Sequence, residues 1–456
     1  MKGVRSLKIS ISGVRGVVGE SLTPGLLVRF AESFGTYVGG GKVVVGRDTR
    51  TSGEMAQHAA LAGLTSAGCQ AVLVDISPVP TIQLAVRQLR AAGGIAITAS
   101  HNPAEWNAFK FIREDGCFLN SFQARELLDI YHQGDYAKAR SDAMKEPKTH
   151  RRAVEKHIDA IMNSFGPLPV SRRRPVKVVV DCVNGAGSVM SPFLLKKLGC
   201  DVVAINATPD GIFPRPPEPL PENLAMLSDA VLKHKADIGF AQDADADRLA
   251  IVSELGAPIG EDYTLGVAVD HILSKTAGTV VTTLATSSAV DDIAIARGCR
   301  VVKSMIGEIN VTETMKSENA VIGGEGNGGV IYPEVNFARD SFVGMAIALH
   351  YFAGKKGPVS EVVAALPRYH MAKTATPCPA GKALEVLELL IEKNKNRKID
   401  LTEGIKISDG KKWTLVRPSN TEPIMRIISE APTADEARRL NEKLVSQVNN
   451  FINGND

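Results

Sequence analysis

Gly94-Ile95-Ala96-Ile97-Thr98-Ala99-Ser100-His101-Asn102-Pro103 is an apolar run that breaks into a polar loop, the pattern of a buried strand with a hydroxyl at its carboxyl end. The same junction recurs twice. Asp237-Ile238-Gly239-Phe240-Ala241 runs into Asp243-Ala244-Asp245-Ala246-Asp247-Arg248, and Ala320-Val321-Ile322 runs into Gly323-Gly324-Glu325-Gly326-Asn327-Gly328-Gly329. In open α/β sheets, ligands collect outside the carboxyl ends of the strands. A nucleophile, a set of carboxylates and a glycine-rich polar loop in these positions are expected to converge on one cleft.

Apolar periodicity outward from these junctions predicts a repeating unit. Strand Lys42 to Val45, helix Ser52 to Ala67, strand Ala71 to Asp75 and helix Thr81 to Leu89 lead into the first junction. Strand Val176 to Val180, helix Val189 to Leu198, strand Val202 to Ile205 and helix Leu224 to Lys233 lead into the second. Thr279 to Thr283, Ala289 to Ala296, Arg300 to Lys303 and Asn310 to Lys316 lead into the third, whose strand is Ala320 to Ile322. Strands alternating with helices imply mainly parallel sheets. The last segment differs: helix Ala383 to Lys395, strands Gly404 to Ser408, Trp413 to Val416 and Ile424 to Ser429, then an amphipathic helix N-capped at Thr433 with Glu436 completing a capping box. The fold class expected is three similar mixed α/β domains with mainly parallel sheets plus a C-terminal α+β domain around a central cleft. The boundaries expected are residues 1–151, 152–255, 256–368 and 369–456.

A chain of 456 residues is long enough for several domains. A net charge of +3 with scattered Lys and Arg, and 5% aromatic residues, give neither a basic stripe nor a stacking surface, which speaks against nucleic-acid binding. Six cysteines (Cys69, Cys117, Cys182, Cys200, Cys299, Cys378) form no Cys-x-x-Cys pair and read as buried reduced thiols. Without a signal-like leader or a long apolar run, a cytoplasmic protein with no membrane partner is expected.

Each polar loop has its own chemistry. Ser100 as a phosphoryl carrier needs positive charge on the phosphate oxygens and a nearby base. Lys110 and Arg15, in Ile11-Ser12-Gly13-Val14-Arg15-Gly16, are candidates for the charge, and Lys110 or His101 for the base. No Gly-x-Ser-x-Gly elbow is present, which weakens a serine-hydrolase reading. Asp243, Asp245 and Asp247, at spacing two, are expected to project to one side of an extended segment and to suit magnesium. An EF-hand is rejected although Glu254 falls at the twelfth position, because Arg248 stands where glycine is needed and strand-like runs flank the loop. Gly324 to Gly329 matches Gly-x-Gly-x-x-Gly, but Val330-Ile331-Tyr332-Pro333-Glu334 follows where a dinucleotide fold needs a helix. Glu325 and Asn327 fit better as partners for sugar hydroxyls or an amine. Arg417-Pro418-Ser419-Asn420-Thr421-Glu422-Pro423 gathers a guanidinium, two hydroxyls and an amide in one turn suited to a phosphate.

Together, in this order and over essentially the whole chain, these motifs resemble the α-D-phosphohexomutase superfamily, which includes phosphoglucomutase, phosphomannomutase and phosphoglucosamine mutase. Thr98 to Pro103 with Asn107 and Lys110 match its phosphoserine loop, and Asp243 to Arg248 its metal loop. Gly324 to Gly328 resemble its sugar loop, and Arg417 to Glu422 its phosphate loop. The resemblance implies a four-domain, heart-shaped architecture and a phosphate carried on Ser100. That phosphate would complete Mg2+ coordination by Asp243, Asp245 and Asp247. It implies transfer to a hexose phosphate through a bisphosphorylated sugar, with Arg248 stabilising charge, Lys110 and His101 assisting proton transfer, and Arg417, Ser419, Asn420 and Thr421 holding the idle phosphate. A hexose 1,6-bisphosphate activator, a hexose phosphate as the small-molecule partner, and a monomer or homodimer are implied as well. Asn327 and Gly329 stand where many bacterial members have Ser and His, and Gly307-Glu308-Ile309-Asn310 lacks the basic residue of the corresponding family element. Glucosamine phosphate is favoured over mannose or glucose phosphate. A non-catalytic sugar-phosphate sensor is the opposing reading, and Ser100, the three aspartates and Lys110 speak against it.

Overall fold

The computed structural model describes residues 7–10, 13–169, 174–419 and 423–453. The chain forms two compact units, Met1–His271 with Asn327–Val363, and Ile272–Gly326 with Ala364–Asp456.

In the first unit a seven-stranded sheet runs in the order Lys8–Ser10, Gly13–Val17, Trp106–Arg113, Gly93–Ile97, Gly41–Arg47, Cys69–Ile76, Lys148–Thr149. Its middle is parallel, as expected, but Gly93–Ile97 pairs antiparallel with Trp106–Arg113, which pairs antiparallel with Gly13–Val17. The Ser100 loop is therefore a hairpin connection and not a crossover to a helix. Helix Pro24–Tyr37, absent from the periodicity reading, starts with Thr23 accepting from the Leu26 amide and a proline in its first turn. Its buried Phe30 and Phe34 meet Phe111 under the sheet, with ring centroids 6.3 and 5.0 Å apart. Burying each such ring contributes about 2 kcal/mol or more.

A second sheet of this unit has the order Leu249–Ser253, Ile238–Gln242, Lys177–Asp181, Asp201–Ile205. Three strands are parallel, and Leu249–Ser253 returns antiparallel to Ile238–Gln242, so the aspartate loop also closes a hairpin. The helix expected from Val189 is shorter, Ser191–Lys197, because a 3-10 turn at Ala186–Val189 precedes it. Strands Gly329–Tyr332 and Asn336–Arg339 pair antiparallel and lead into helix Ser341–Ala353, which is buried on nearly every side. Asp340 caps that helix through the Phe342 and Val343 amides.

In the second unit, parallel strands Val301–Ser304, Val280–Thr283 and Ile322–Glu325 lie side by side. The last of these starts two residues later than the sequence suggested and ends on Glu325. The C-terminal sheet is antiparallel, in the order His370–Pro377, Ile424–Ala431, Lys412–Pro418, Ile405–Asp409, Lys398–Asp400, with the first and last strands additional to those expected. Helices Ala383–Lys393 and Ala434–Ile452 cover one face over Val386, Leu390, Ile405, Val416, Ile427 and Val448. At Thr433 half of the capping box forms: its hydroxyl accepts from the Glu436 amide, while the Glu436 carboxylate accepts from that hydroxyl and from Lys412.

None of the six cysteines forms a disulfide, and four are buried. Burial pushes the Cys182 and Cys200 thiols up to about 12, which makes both inert. No helix among the described residues is long and apolar enough to cross a membrane.

Candidate active site

Ser100 sits at the top of the Gly93–Ile97 strand in left-handed backbone, φ 50°, a strained conformation for a residue with a side chain. What holds it there is Arg50, a residue the motif reading passed over. The fully buried Arg50 guanidinium donates to the Ser100 and Asn102 carbonyls at 2.8 and 2.7 Å and to the Pro103 and Trp106 carbonyls at 2.5 and 3.1 Å. Its Nε is 3.0 Å from Asp48, whose carboxyl burial pushes up even against that guanidinium. Thr98 Oγ1 donates to Asp48 at 2.6 Å and accepts from the Ser100 amide at 2.9 Å. Asp48-Thr49-Arg50 directly follows strand Gly41–Arg47, so the strand-end rule applied there was the signal that would have found it.

The Ser100 hydroxyl donates to Asp243 Oδ2 at 2.8 Å. The aspartate loop is not extended, as spacing suggested, but a tight turn with Ala246 in left-handed backbone, φ 57°. Asp243 Oδ1 accepts the Asp247 and Arg248 amides at 3.1 and 3.2 Å and closes that turn. From below, Ser341 donates to the Ala246 carbonyl at 2.6 Å, and Gln242 donates to Ser341 at 2.6 Å. All three aspartates are fully buried, with one oxygen from each within 4.8 Å of the others. Asp245 Oδ1 and Asp247 Oδ1 are buried without a hydrogen-bond partner. Hard oxygen donors so arranged, two of them unsatisfied, suit a divalent cation. Burial, then Asp247 and Asp245, pushes the Asp243 carboxyl well above the usual range. Burial would raise Asp245 too, but the Lys110 ammonium and hydrogen bonds to the carboxylate hold it below.

Lys110 lies on the returning hairpin strand, opposite Ala96, and its Nζ is 2.8 Å from Asp245 Oδ2. Burial alone would favour the free amine, but Asp245 and Asp247 outweigh it and raise the pKa, which favours the charged ammonium. Arg15, on the neighbouring strand, donates to Asn102 Oδ1 at 2.7 Å. Arg248 reaches Glu218 at 2.8 Å. Burial, then the Arg248 charge, lowers the His101 imidazole to about 3, so the ring is neutral near pH 7. Asn327 accepts from the Gly329 amide at 3.2 Å. Gly328, at φ 85°, gives its carbonyl to the Leu249 amide at 3.1 Å; a Cβ on it would stand 2.2 Å from the Leu249 carbonyl oxygen. The chain after the aspartates and the chain after Asn327 are thus laced together.

A separate polar group forms within the second unit. Glu325 is buried at its strand's end and accepts the Gly307 amide at 2.9 Å. Arg417, on strand Lys412–Pro418, reaches Glu403 at 2.9 Å, and Glu403 accepts the Ile306 amide at 2.6 Å. The Ser419 amide donates to the Ile424 carbonyl at 2.9 Å. Glu325 thus belongs to this unit and Asn327 to the other. Ile11, Ser12, Asn420, Thr421 and Glu422 lie outside the described residues.

The chain matches, in order, the phosphoglucomutase/phosphomannomutase alpha/beta/alpha domains I, II and III over residues 7–138, 155–256 and 260–369, and the C-terminal domain over 374–447. It is 39% identical to a "Phosphoglucomutase/phosphomannomutase" of Thermococcus kodakarensis, covering 97% of this chain and 98% of the relative. It is 36% identical to a "Probable phosphoglucosamine mutase" of Methanopyrus kandleri, covering 97% of both. The fold matches the crystal structure of a Burkholderia thailandensis phosphoglucomutase/phosphomannomutase family protein with a TM-score of 0.85, at 24% identity over 98% of each chain. It also matches that of an Aspergillus fumigatus N-acetylphosphoglucosamine mutase in complex with GlcNAc-6P and magnesium, with a TM-score of 0.56, at 15% identity over 89% of this chain and 82% of that one. With a strained serine hydroxyl on a buried triple-aspartate loop and four family domains matched in sequence, the chain belongs to the phosphoglucomutase/phosphomannomutase family and is a phosphosugar mutase.

Proposed function

We propose that the protein interconverts the 6-phosphate and 1-phosphate of a hexosamine, glucosamine phosphate in first place, by way of a phosphate carried on Ser100. The observation that carries the reading is the 2.8 Å contact between Ser100 Oγ and Asp243 in a loop whose other carboxylates keep unsatisfied oxygens. Asp243, Asp245 and Asp247, with an oxygen of the Ser100 phosphate, would hold Mg2+, which the solved Aspergillus relative also contains. When bound, the ion supplies positive charge to the phosphoryl oxygens.

The chain's own residues do the rest. The phosphoryl group leaves Ser100 Oγ as a sugar hydroxyl oxygen attacks phosphorus: one P–O bond breaks and one forms. The hydroxyl proton passes to a base, for which His101, next to Ser100 in the chain, is the candidate. Lys110, Arg15 and Arg248 offset charge on the moving group. The bisphosphorylated sugar then returns its other phosphate to Ser100, and the corresponding hexose 1,6-bisphosphate primes the enzyme. Glu325 and Asn327 are proposed to address the sugar, and Arg417, Ser419, Asn420 and Thr421 the phosphate that does not react. The four-domain division at 151, 255 and 368 and a cytoplasmic location go with this reading.

Mannose or glucose phosphate is the second reading, favoured by the name of the 39% identical Thermococcus relative. The sugars differ at the 2-position, where a site that hydrogen-bonds its substrate's group discriminates strongly. A coupled, Mg2+-dependent assay with glucosamine, glucose and mannose phosphates and the matching bisphosphates decides. The highest kcat/KM for glucosamine phosphate is expected; a higher value for either neutral sugar replaces the first reading by the second.

A further inference from the structure

Position 329 is glycine, and its backbone does not demand it, since it lies outside the left-handed region. What demands it is a neighbour. A Cβ on Gly329 would lie 2.4 Å from Arg339 Cδ and 3.0 Å from its Cγ. Arg339 stands on the paired strand, opposite Ile331, and its stem runs across the glycine. Its Nη2 is 2.5 Å from Asp247 Oδ2, with 11% of the arginine side chain and none of the aspartate exposed. Asp247 Oδ1 has no partner, and Arg248 Nε, at 3.9 Å, is too far for a hydrogen bond.

Asp245 is divided in the same way: Lys110 holds Oδ2 at 2.8 Å and Oδ1 is unsatisfied. Two of the three carboxylates therefore have one oxygen tied by a cation and one free. We propose that Arg339 is a positioning residue that restricts Asp247 to single-oxygen ligation of a divalent cation, and that position 329 is glycine so that Arg339 can lie there. The consequence is a choice of ion. Mg2+ requires a compact octahedron of short bonds, whereas Ca2+ accepts more ligands and takes carboxylates through one oxygen or both. Released from Arg339, Asp247 can turn both oxygens to the ion, which favours the larger cation.

The inference rests on reading the aspartate loop as the cation site, and the test separates the two. Mn2+ binding is followed by the electron paramagnetic resonance of the free ion, with displacement by Mg2+ and by Ca2+, in wild type, Arg339→Met, Gly329→Ala and the double variant. Arg339→Met also removes a positive charge, but that strengthens both cations alike and cancels in their ratio. Gly329→Ala keeps every charge and removes only the room. Each single variant is expected to shift the Ca2+/Mg2+ affinity ratio toward Ca2+ by roughly tenfold, the lower end of what losing a ligand's hydrogen-bond partner does. The double variant should shift no further than Arg339→Met, and Arg339→Lys should restore part of the wild-type ratio. Should Gly329→Ala fail to fold, the Arg339→Met and Arg339→Lys pair decides by itself. Wild-type ratios in the variants overturn the inference, and additive shifts overturn the link between Gly329 and Arg339. A wild type that binds none of the three cations overturns the metal-loop reading and the inference with it.

Discussion

Arg50 is the residue on which the serine loop most depends. Replacing it by methionine leaves Asp48 buried without its cation and removes the donor from four carbonyls at once. Breaking a buried pair from one side costs about 3 to 5 kcal/mol. Arg50→Met should lower the urea midpoint by a corresponding amount and remove turnover as well; a variant of wild-type stability and full activity would contradict the clamp. Ser100 behaves in the opposite sense. Its left-handed backbone costs roughly 1 kcal/mol or more, which glycine would not incur. Ser100→Gly is therefore expected to abolish turnover while matching or exceeding wild-type thermal stability. A large loss of stability would mean that the hydroxyl, and not the backbone, dominates there.

Among the elements, strand Ile405–Asp409 carries a titratable group that the reaction does not use. Lys406 is buried, donates to the Leu284 carbonyl at 2.7 Å and lies 3.8 Å from the Trp413 ring centroid. Burial, then repulsion from Lys303, lowers its pKa to about 7 from 10.5, while Asp291, Glu430 and Asp400 act in the other direction. Between those two values the unfolded chain holds a proton that the folded chain lacks, so stability rises with pH across that window. The slope is at most about 1.4 kcal/mol per pH unit. Urea midpoints of wild type should climb between pH 7 and 9, and those of Lys406→Met should climb less; equal slopes would remove Lys406 as the cause.

The elements also show what was legible in the sequence. The strands that end at Ser100 and Asp243 were readable because short apolar runs stop abruptly at polar residues. Strand Trp106–Arg113 was not, because it buries both faces and carries the polar Asn107 and Lys110 on opposite faces, which spoils any period. The three aspartates were found from their spacing, but the turn that gathers them depends on Ala246 and two backbone amides, which no side-chain pattern encodes. Arg50 works through carbonyls about fifty residues away, and Arg339 through the space left by a glycine. Neither contact leaves a signature of its own; only the place of Arg50 just beyond strand Gly41–Arg47 marked it.

For the whole molecule, four family domains follow one another along the chain, and the described residues form two compact units. The first unit holds the serine, the aspartates and the cations that surround them; the second holds Glu325 and Arg417. If phosphate passes through Ser100, the mass of the intact protein records it at each stage. Protein charged with hexose 1,6-bisphosphate and Mg2+ should carry an added phosphate of about 80 Da on Ser100. That mass should disappear when excess hexose monophosphate draws the group off, and return once bisphosphate is restored. Ser100→Ala should never acquire it and should not turn over. Turnover by Ser100→Ala, or by a wild type whose Ser100 stays unmodified throughout, would contradict the account.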